Sequence, residues 1–232
     1  MLEAGQTGAN EDLLPCVEIE TAAPVRASVV WLHGLGADGH DFEPIVPHLG
    51  MRPQDGVRFV FPHAPQIPVS LNMGMRMPAW YDIDEADLRR RHDAAGIRAS
   101  ALRIEALLAR EKRRGVPAER IVLAGFSQGG AMALYVGLRH AETLAGLVAL
   151  SCYLVLNETL PAEASAANAA VPVFQAHGTL DPMVPIDRGR DARDRLQELG
   201  HPVAWHEFPM QHMVCMEEIE ALGAFLRDRL GG

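Results

Sequence analysis

The sequence predicts an α/β fold with a mostly parallel central sheet, because aliphatic runs alternate with helical patterns along most of its 232 residues. Nearly continuous apolar runs are typical of parallel strands that are covered on both faces. The candidate strands span residues 27–33, 57–61, 121–125, 144–150, 171–176 and 202–208. Since no repeat or linker-like stretch divides the chain, we expect residues 13–232 to form a single domain after a loose polar tail at residues 1–12.

Helical periodicity fills the connections between these strands. In residues 93–114, Ile97, Ile104 and Leu108 recur at helical spacing, and Gly115 ends the pattern. Further helices are predicted over residues 127–139, 187–199 and 216–230. A helix in most connections predicts that helices cover both faces of the sheet.

Composition and charge exclude several classes of function. Hydrophobic residues make up 48% of the chain and charged residues 22%, as in ordinary soluble globular proteins. The net charge of −9 and the lack of a basic patch predict no nucleic-acid partner. No apolar run reaches the roughly 18 residues of a membrane span. The start of the chain lacks a signal-peptide pattern, so we expect a cytoplasmic protein.

The three cysteines predict no disulfide framework and no metal site. Cys16, Cys152 and Cys215 are an odd number at wide spacing, which argues against paired disulfides. No two of them have the spacing of zinc ligands.

The stretch IVLAGFSQGGAMAL, residues 121–134, carries the first chemical signal. Gly125-Phe126-Ser127-Gln128-Gly129 matches G-x-S-x-G between a strand and a helix, which is the setting of a nucleophile elbow. Small neighbours let the serine hydroxyl stand clear of so tight a turn, and the helix start offers N–H groups to an oxyanion. The alternative is a glycine-rich turn that only permits close packing.

A serine nucleophile needs a base, and position selects one histidine. In folds of this type the chain order is Ser, then Asp or Glu, then His. His201 precedes the last strand and His206 lies within it, whereas His212 follows it. Sites on open α/β sheets lie at the carboxyl ends of the strands, so His212 is the candidate base.

Position also selects the acid that would orient this base. Asp181 follows the strand at residues 171–176, again at its carboxyl end. Asp187, Asp191 and Asp194 instead fall in the predicted helix. The alternative for Asp181 is a turn aspartate before proline.

A second glycine-rich loop, HGLGADG at residues 33–39, follows the first strand. Its glycines form a formal G-x-G-x-x-G, but Asp41 and Glu43 would crowd a pyrophosphate, and an acidic residue for the ribose is lacking. A better interpretation is an oxyanion loop, in which the Leu35 amide joins that of Gln128, the residue after the nucleophile.

Five segments together resemble a known family. LHGLGADGHDF, FPHAPQIPVSLNMGMRMPAWYDI, GFSQGGAMAL, HGTLDPMVP and WHEFPMQH are similar to bacterial carboxylesterases related to acyl-protein thioesterases and lysophospholipases, in the family's order from about residue 15 to 230. The resemblance implies an α/β-hydrolase fold without a large cap domain and without a cofactor. It implies a triad of Ser127, Asp181 and His212, with oxyanion donors at the amides of Leu35 and Gln128.

The resemblance further implies that residues 66–80 form part of an acyl-binding wall. Apolar residues alternate there with small or polar ones, which predicts a hairpin or extended arm with one apolar face. The candidate substrate-binding residues are Leu71, Met73, Met75, Trp80 and Cys152. The alternative is that this face covers the core of the domain itself.

These observations predict a serine hydrolase for carboxylic esters of short to medium acyl chains, working through an acyl-enzyme. Its partner would be a small-molecule ester or thioester, and the resemblance allows a homodimer. Two alternatives remain: an acyl-protein thioesterase or lysophospholipase for long acyl chains, and a non-catalytic ligand-binding protein on a hydrolase scaffold.

Overall fold

The computed structural model describes residues 13–84 and 92–231, so the predicted tail at residues 1–12 lies outside the described residues. Nine strands lie within these ranges: β1 (Cys16–Glu20), β2 (Ala27–Leu32), β3 (Val57–Pro62), β4 (Gln66–Val69), β5 (Met75–Pro78), β6 (Ile121–Phe126), β7 (Gly146–Leu150), β8 (Val173–Gly178) and β9 (Val203–Phe208). The helices there are α1 (Ala94–Arg113), α2 (Gln128–Gly137), α3 (Leu160–Glu163), α4 (Ile186–Glu198) and α5 (Met216–Leu230). Short 3-10 segments include Glu43–Leu49.

Seven of these strands form the central sheet in the order β1-β3-β2-β6-β7-β8-β9. All neighbours pair in parallel except β1, which runs antiparallel to β3 at one edge. The predicted mostly parallel α/β sheet is therefore confirmed. β2 and β6 are parallel neighbours at the centre of the sheet, and the other strands lie on either side of them. The loops that follow β2 and β6 therefore lie side by side.

Alternate side chains of each central strand enter two separate cores, one on each face of the sheet. Val30 and Leu123 belong to the core covered by α1, α2 and α4, whereas Val29 and Val122 belong to the core covered by α5 and the Glu43–Leu49 segment. This two-sided burial explains why the central strands are almost continuously apolar. None of the helices in the described ranges has the length and apolar character needed to cross a bilayer.

The sequence did not predict β1, because its CVEIE sequence alternates apolar and acidic residues over only five positions. Ion pairs stabilise its acidic face. Glu20 accepts a 2.9 Å hydrogen bond from Arg58 of β3, and Glu18 pairs with Arg114 at 2.9 Å. The strand therefore depends on partners that are far away in the sequence.

The predicted arm is a two-stranded hairpin formed by β4 and β5. Ile67 faces Met77 and Val69 faces Met75 in the antiparallel register, so these apolar side chains share one face, as the alternation predicts. Val69 is buried whereas Met75 is 53% exposed. Ile67 and Met77 are half-buried, so this face is covered mainly on its β4 side, at Val69, and is open at Met75.

Glu218, in the first turn of α5, is a buried carboxylic acid. Its side chain has no exposed surface, and burial raises the pKa of Glu218 to about 8, outweighing the lowering effect of the Cys215 backbone amide. An unfolded glutamate has a pKa of about 4.3. The folded state therefore binds more protons than the unfolded state between these two values, and this carboxyl lowers stability as pH rises through that range.

We expect Glu218→Gln to become progressively more stable than the wild type as pH rises from 5 to 9, because the amide cannot ionise. The gain should reach several kcal/mol, since each pKa unit corresponds to about 1.4 kcal/mol. Urea unfolding at pH 5, 7 and 9 measures it, with the exposed neighbour Glu217→Gln as the matched control. A stability difference that stays constant with pH would contradict the buried neutral acid.

Candidate active site

Ser127 lies on a strained turn between β6 and α2. Its φ of 54° and ψ of −119° are backbone angles that residues with a side chain rarely adopt. Glycine is required on both sides. A Cβ on Gly125 would lie 2.3 Å from the Gly129 backbone, and a Cβ on Gly129 would lie 2.2 Å from the Leu32 carbonyl oxygen. The close contact of α2 with β2 and β6 therefore enforces the turn that presents the serine hydroxyl.

Two hydrogen bonds connect Ser127 to the two other residues predicted for the triad. His212 Nε2 lies 2.9 Å from Ser127 Oγ, and His212 Nδ1 lies 2.7 Å from Asp181 Oδ2. A carboxylate only accepts hydrogen bonds, so Nδ1 carries the proton and Nε2 is left to accept from the hydroxyl. The structure thus brings together three residues from the loops after β6, β8 and β9.

Asp181 is held in place by its own turn. Its Oδ1 accepts hydrogen bonds from the backbone N–H groups of Met183 at 2.8 Å and Val184 at 2.9 Å. The side chain is fully buried. Both carboxylate oxygens therefore accept hydrogen bonds, Oδ1 from the turn and Oδ2 from the imidazole of His212. These bonds fix the orientation of the carboxylate.

His177 supports the same turn, although no sequence pattern singles it out. It is completely buried, and its Nε2 donates a hydrogen bond to the Val184 carbonyl oxygen at 2.8 Å, while lying 3.6 Å from Asp181 Oδ2. Burial lowers the pKa of His177, which keeps the ring neutral beside the carboxylate. The only hint in the sequence is its place at the end of β8, four residues before Asp181.

The amides of Leu35 and Gln128 lie beside the serine. Among the residues that the structure describes, neither backbone N–H has a hydrogen-bond acceptor, and both residues line the same cavity as Ser127. A Cβ on Gly34 would lie 3.5 Å from the Ser127 Cβ, so this loop contacts the turn directly. Two unpaired donors at this place suit an oxyanion.

His33 holds this loop in position. Its Nε2 accepts a hydrogen bond from the Ala64 N–H at 3.0 Å, so the proton is on Nδ1, which donates to the Gly34 carbonyl oxygen at 2.7 Å. Burial lowers the pKa of His33 and favours this neutral form. Trp80 Nε1 donates to the His33 carbonyl oxygen at 2.9 Å. Hydrogen bonds thus connect the oxyanion loop to two other segments, one that follows β3 and one that follows β5.

The side chain of Gln128 has a function that the sequence did not reveal. Its Oε1 accepts from the Trp80 N–H at 2.8 Å, and its Nε2 donates to the Tyr81 carbonyl oxygen at 2.7 Å. These two bonds attach the segment after the hairpin to the start of α2. Gln128 thus combines a free backbone donor with a side chain that orders the cavity wall.

A cavity of about 220 Å³ opens above Ser127. Its described lining consists of Gly34, Leu35, Ala37, Asp41, Leu71, Ile83, Phe126, Ser127, Gln128, Tyr153, Met183, Val184 and His212. Five of these thirteen residues, Leu35, Leu71, Ser127, Gln128 and His212, were site candidates from the sequence. The other eight were not, and among them Ile83, Tyr153, Met183 and Val184 come from loops that meet only in the fold.

The predicted substrate-binding residues are distributed unevenly around this cavity. Leu71 lines it, whereas Met73, 88% exposed, and Met75 lie outside its described lining at the end of the hairpin. Trp80 and Cys152 are buried behind the lining. Cys152 packs against Gly130 of α2, and burial raises the pKa of its thiol, so it stays protonated.

Comparison with known proteins identifies the relatives of this chain. The family model for phospholipases and carboxylesterases matches residues 15–230. Among curated proteins, an acyl-protein thioesterase 1 from Neurospora crassa is 42% identical over 227 residues, covering 93% of this chain and 92% of that protein. An acyl-protein thioesterase 1 from Gibberella zeae is 43% identical over 218 residues, covering 90% and 93%.

Solved structures show the same fold. Arabidopsis thaliana SOBER1 superposes with a TM-score of 0.83 at 28% identity, covering 89% of this chain and all of that one. Zea mays acyl-protein thioesterase 2 gives a TM-score of 0.82 at 28% identity, covering 94% and 99%. These relatives are fungal and plant proteins. They support the family resemblance, but they do not support the expectation that the chain resembles its bacterial members in particular.

We expect Gly129→Ala to destabilise the protein by about 2–3 kcal/mol or more and to lower kcat/KM about 10²-fold, because the new methyl group meets backbone atoms that cannot move aside. Gly137→Ala in the same helix is the matched control, since the nearest atoms that its methyl group would meet belong to the side chain of Leu147 and not to the backbone. Urea unfolding and ester hydrolysis measure both variants. Equal effects at the two positions would show that contact with the Leu32 carbonyl does not control the turn.

Proposed function

The chain belongs to the phospholipase/carboxylesterase family, and on this premise we propose that it is a carboxylesterase in which Ser127 is the nucleophile, His212 the general base and Asp181 the residue that orients it. The observation that carries the proposal is the pair of hydrogen bonds from Ser127 Oγ to His212 at 2.9 Å and from His212 to Asp181 at 2.7 Å. A serine hydroxyl is a weak nucleophile until such a base removes its proton.

Acylation begins when Ser127 Oγ attacks the ester carbonyl carbon and its proton passes to His212 Nε2. The carbonyl oxygen becomes an oxyanion, for which the free N–H groups of Leu35 and Gln128 are the proposed donors. Asp181 stabilises the imidazolium that forms and does not itself take the proton. Collapse of the tetrahedral intermediate breaks the bond to the leaving group, which receives the proton from Nε2.

Deacylation repeats these steps with water. A water molecule gives its proton to His212 Nε2 and attacks the acyl carbon, and the second tetrahedral intermediate releases the carboxylic acid and restores the Ser127 hydroxyl. The chemistry requires only these side chains and amides. We therefore propose a reaction without a metal or cofactor, on small-molecule esters.

The size of the cavity supports short to medium acyl chains. About 220 Å³ is less than the roughly 300–1,000 Å³ of a typical ligand site. Leu71, Ile83 and Tyr153 supply apolar surface there, and each buried methylene of an acyl chain contributes about 0.8 kcal/mol.

A second candidate function is thioester hydrolysis with longer acyl chains. Two observations favour it: the curated relatives are acyl-protein thioesterases, and a neighbouring cavity of about 290 Å³ shares Tyr153, Met183 and Val184 with the first. An oxygen ester and a thioester with the same acyl group, compared by kcat/KM over increasing chain length, separate the two. The cytoplasmic location and a homodimer remain predictions from the sequence.

Ser127→Ala should abolish nearly all ester hydrolysis, leaving at most about 10³-fold acceleration over water from binding and the oxyanion donors. His212→Gln should be similarly inactive. His206→Gln is the matched control: this histidine lies in β9 with its ring 4.9 Å from that of Phe174, and should retain activity. Labelling with a fluorophosphonate followed by peptide mapping should modify Ser127, and a label on another residue would refute the nucleophile.

Leu71→Ala should move the optimum of a C2 to C12 p-nitrophenyl ester series towards longer chains, because the variant enlarges the cavity. Met73→Ala is the control on the same turn, since Met73 is 88% exposed and outside the described lining. The measurement is kcat/KM for each ester, with melting temperature recorded in parallel. An unchanged profile for Leu71→Ala, or the same shift in both variants, would show that the acyl chain binds elsewhere.

A further inference from the structure

One carboxylate of the cavity wall has no part in the triad. Asp41 lies in the loop after β2 and lines the same cavity as Ser127 and His212. No other Asp, Glu, Lys or Arg belongs to the described lining. A carboxyl group has an ordinary pKa of about 3.9, so Asp41 brings one negative charge to the cavity at neutral pH.

This charge is not neutralised by the described part of the protein. The Asp41 carboxylate makes no hydrogen bond or ion pair with a described residue, and its backbone N–H donates to the Asp38 carbonyl oxygen at 3.2 Å. The ionisable groups that act on it are His33, which burial keeps neutral, and Asp38, which adds negative charge. Partial desolvation raises the pKa of Asp41, as expected for an uncompensated carboxylate.

The residue after Asp41 begins a series of ring contacts that reaches His212, where a leaving group departs. Phe42, the next residue, lies with its ring 5.5 Å from that of Phe126, and the Phe126 ring lies 4.8 Å from that of His212. Since His212 returns the proton to the leaving oxygen or sulfur, that atom must lie beside the imidazole.

A different part of the wall is apolar. Leu71 at the hairpin turn donates its N–H to the Ile83 carbonyl oxygen at 2.8 Å, so these two residues form one surface, to which Tyr153 adds an aromatic ring. An acyl chain suits this surface. The cavity therefore offers an apolar region that suits the acyl chain and, in the loop after β2, a single negative charge that is left for the other end of the ester.

We propose that Asp41 is a specificity-determining residue that favours esters and thioesters whose leaving alcohol or thiol carries a positive charge. This inference rests on the proposed function. Because Asp41 is exposed to water, its attraction for an opposite charge in the cavity is screened, and it is still enough to change a rate constant severalfold. A leaving group with a negative charge would be disfavoured by the same carboxylate.

The test compares two esters with the same acyl group and nearly the same shape, butyrylcholine and 3,3-dimethylbutyl butyrate, which differ in a quaternary nitrogen replaced by carbon. The measured quantity is the ratio of their kcat/KM values. We expect Asp41→Asn to lower this ratio about threefold to tenfold, because the substitution removes the charge and keeps the size. The ratio cancels any general loss of activity.

Asp38→Asn is the matched control, since it removes a charge from the same loop outside the described lining, and the amide oxygen can still accept the His40 N–H bond. It should change the ratio less than twofold. In the wild type, 1 M salt should lower the ratio towards that of Asp41→Asn, because screening then acts within about 3 Å.

An unchanged ratio in Asp41→Asn, or an equal fall in both variants, would overturn the role of Asp41 while leaving the esterase proposal intact. A wild type that hydrolyses neither ester and takes up no fluorophosphonate at Ser127 would instead overturn the proposed function itself. The two failures are therefore distinguishable in one set of measurements.

Discussion

The close approach of α2 to β2 is the constraint on which the site depends. At Gly129 a single methyl group would lie 2.2 Å from the Leu32 carbonyl oxygen, so helix and strand touch through their backbones. This contact forces the chain to reverse within one residue and holds Ser127 at a positive φ of 54°. A strained backbone conformation persists only where the surrounding structure holds it in place. Here the packing of α2 against the sheet holds Ser127 in that conformation.

The same turn organises the rest of the cavity. The amide of Gln128 is left without an acceptor among the described residues because it opens α2, while its side chain binds the backbone of Trp80 and Tyr81. A single residue thus connects the nucleophile, a donor for an oxyanion and the wall that follows the hairpin. The acid is held by equally local means, since the N–H groups of Met183 and Val184 fix the Asp181 carboxylate.

The cavity joins two environments of different polarity. Leu71, Ile83 and Tyr153 form an apolar wall, whereas Asp41 adds one negative charge that no described residue neutralises. Such a division allows the two ends of an ester to be selected independently, by dispersion and desolvation at one end and by electrostatic attraction at the other. Relatives that share the fold and the elbow could differ in substrate by changing either region.

The fold class and the elbow could be predicted from the sequence, because both follow from local patterns. Apolar runs specify strands that are buried on two faces, and glycines flanking Ser127 are required wherever a helix packs this closely on a strand. The order of Ser127, Asp181 and His212, each after a strand, also follows from the chain alone.

Which side chains share the cavity could not be predicted from the sequence, because it depends on contacts between distant segments. The alternation from Ile67 to Met77 is uniform, yet Val69 is buried, Leu71 lines the cavity and Met73 is 88% exposed. Whether an apolar residue is covered depends on loops such as those of Tyr153 and Met183, which approach it from distant parts of the chain. Likewise β1 could not be predicted, because its acidic face is stabilised by arginines from β3 and from beyond the end of α1.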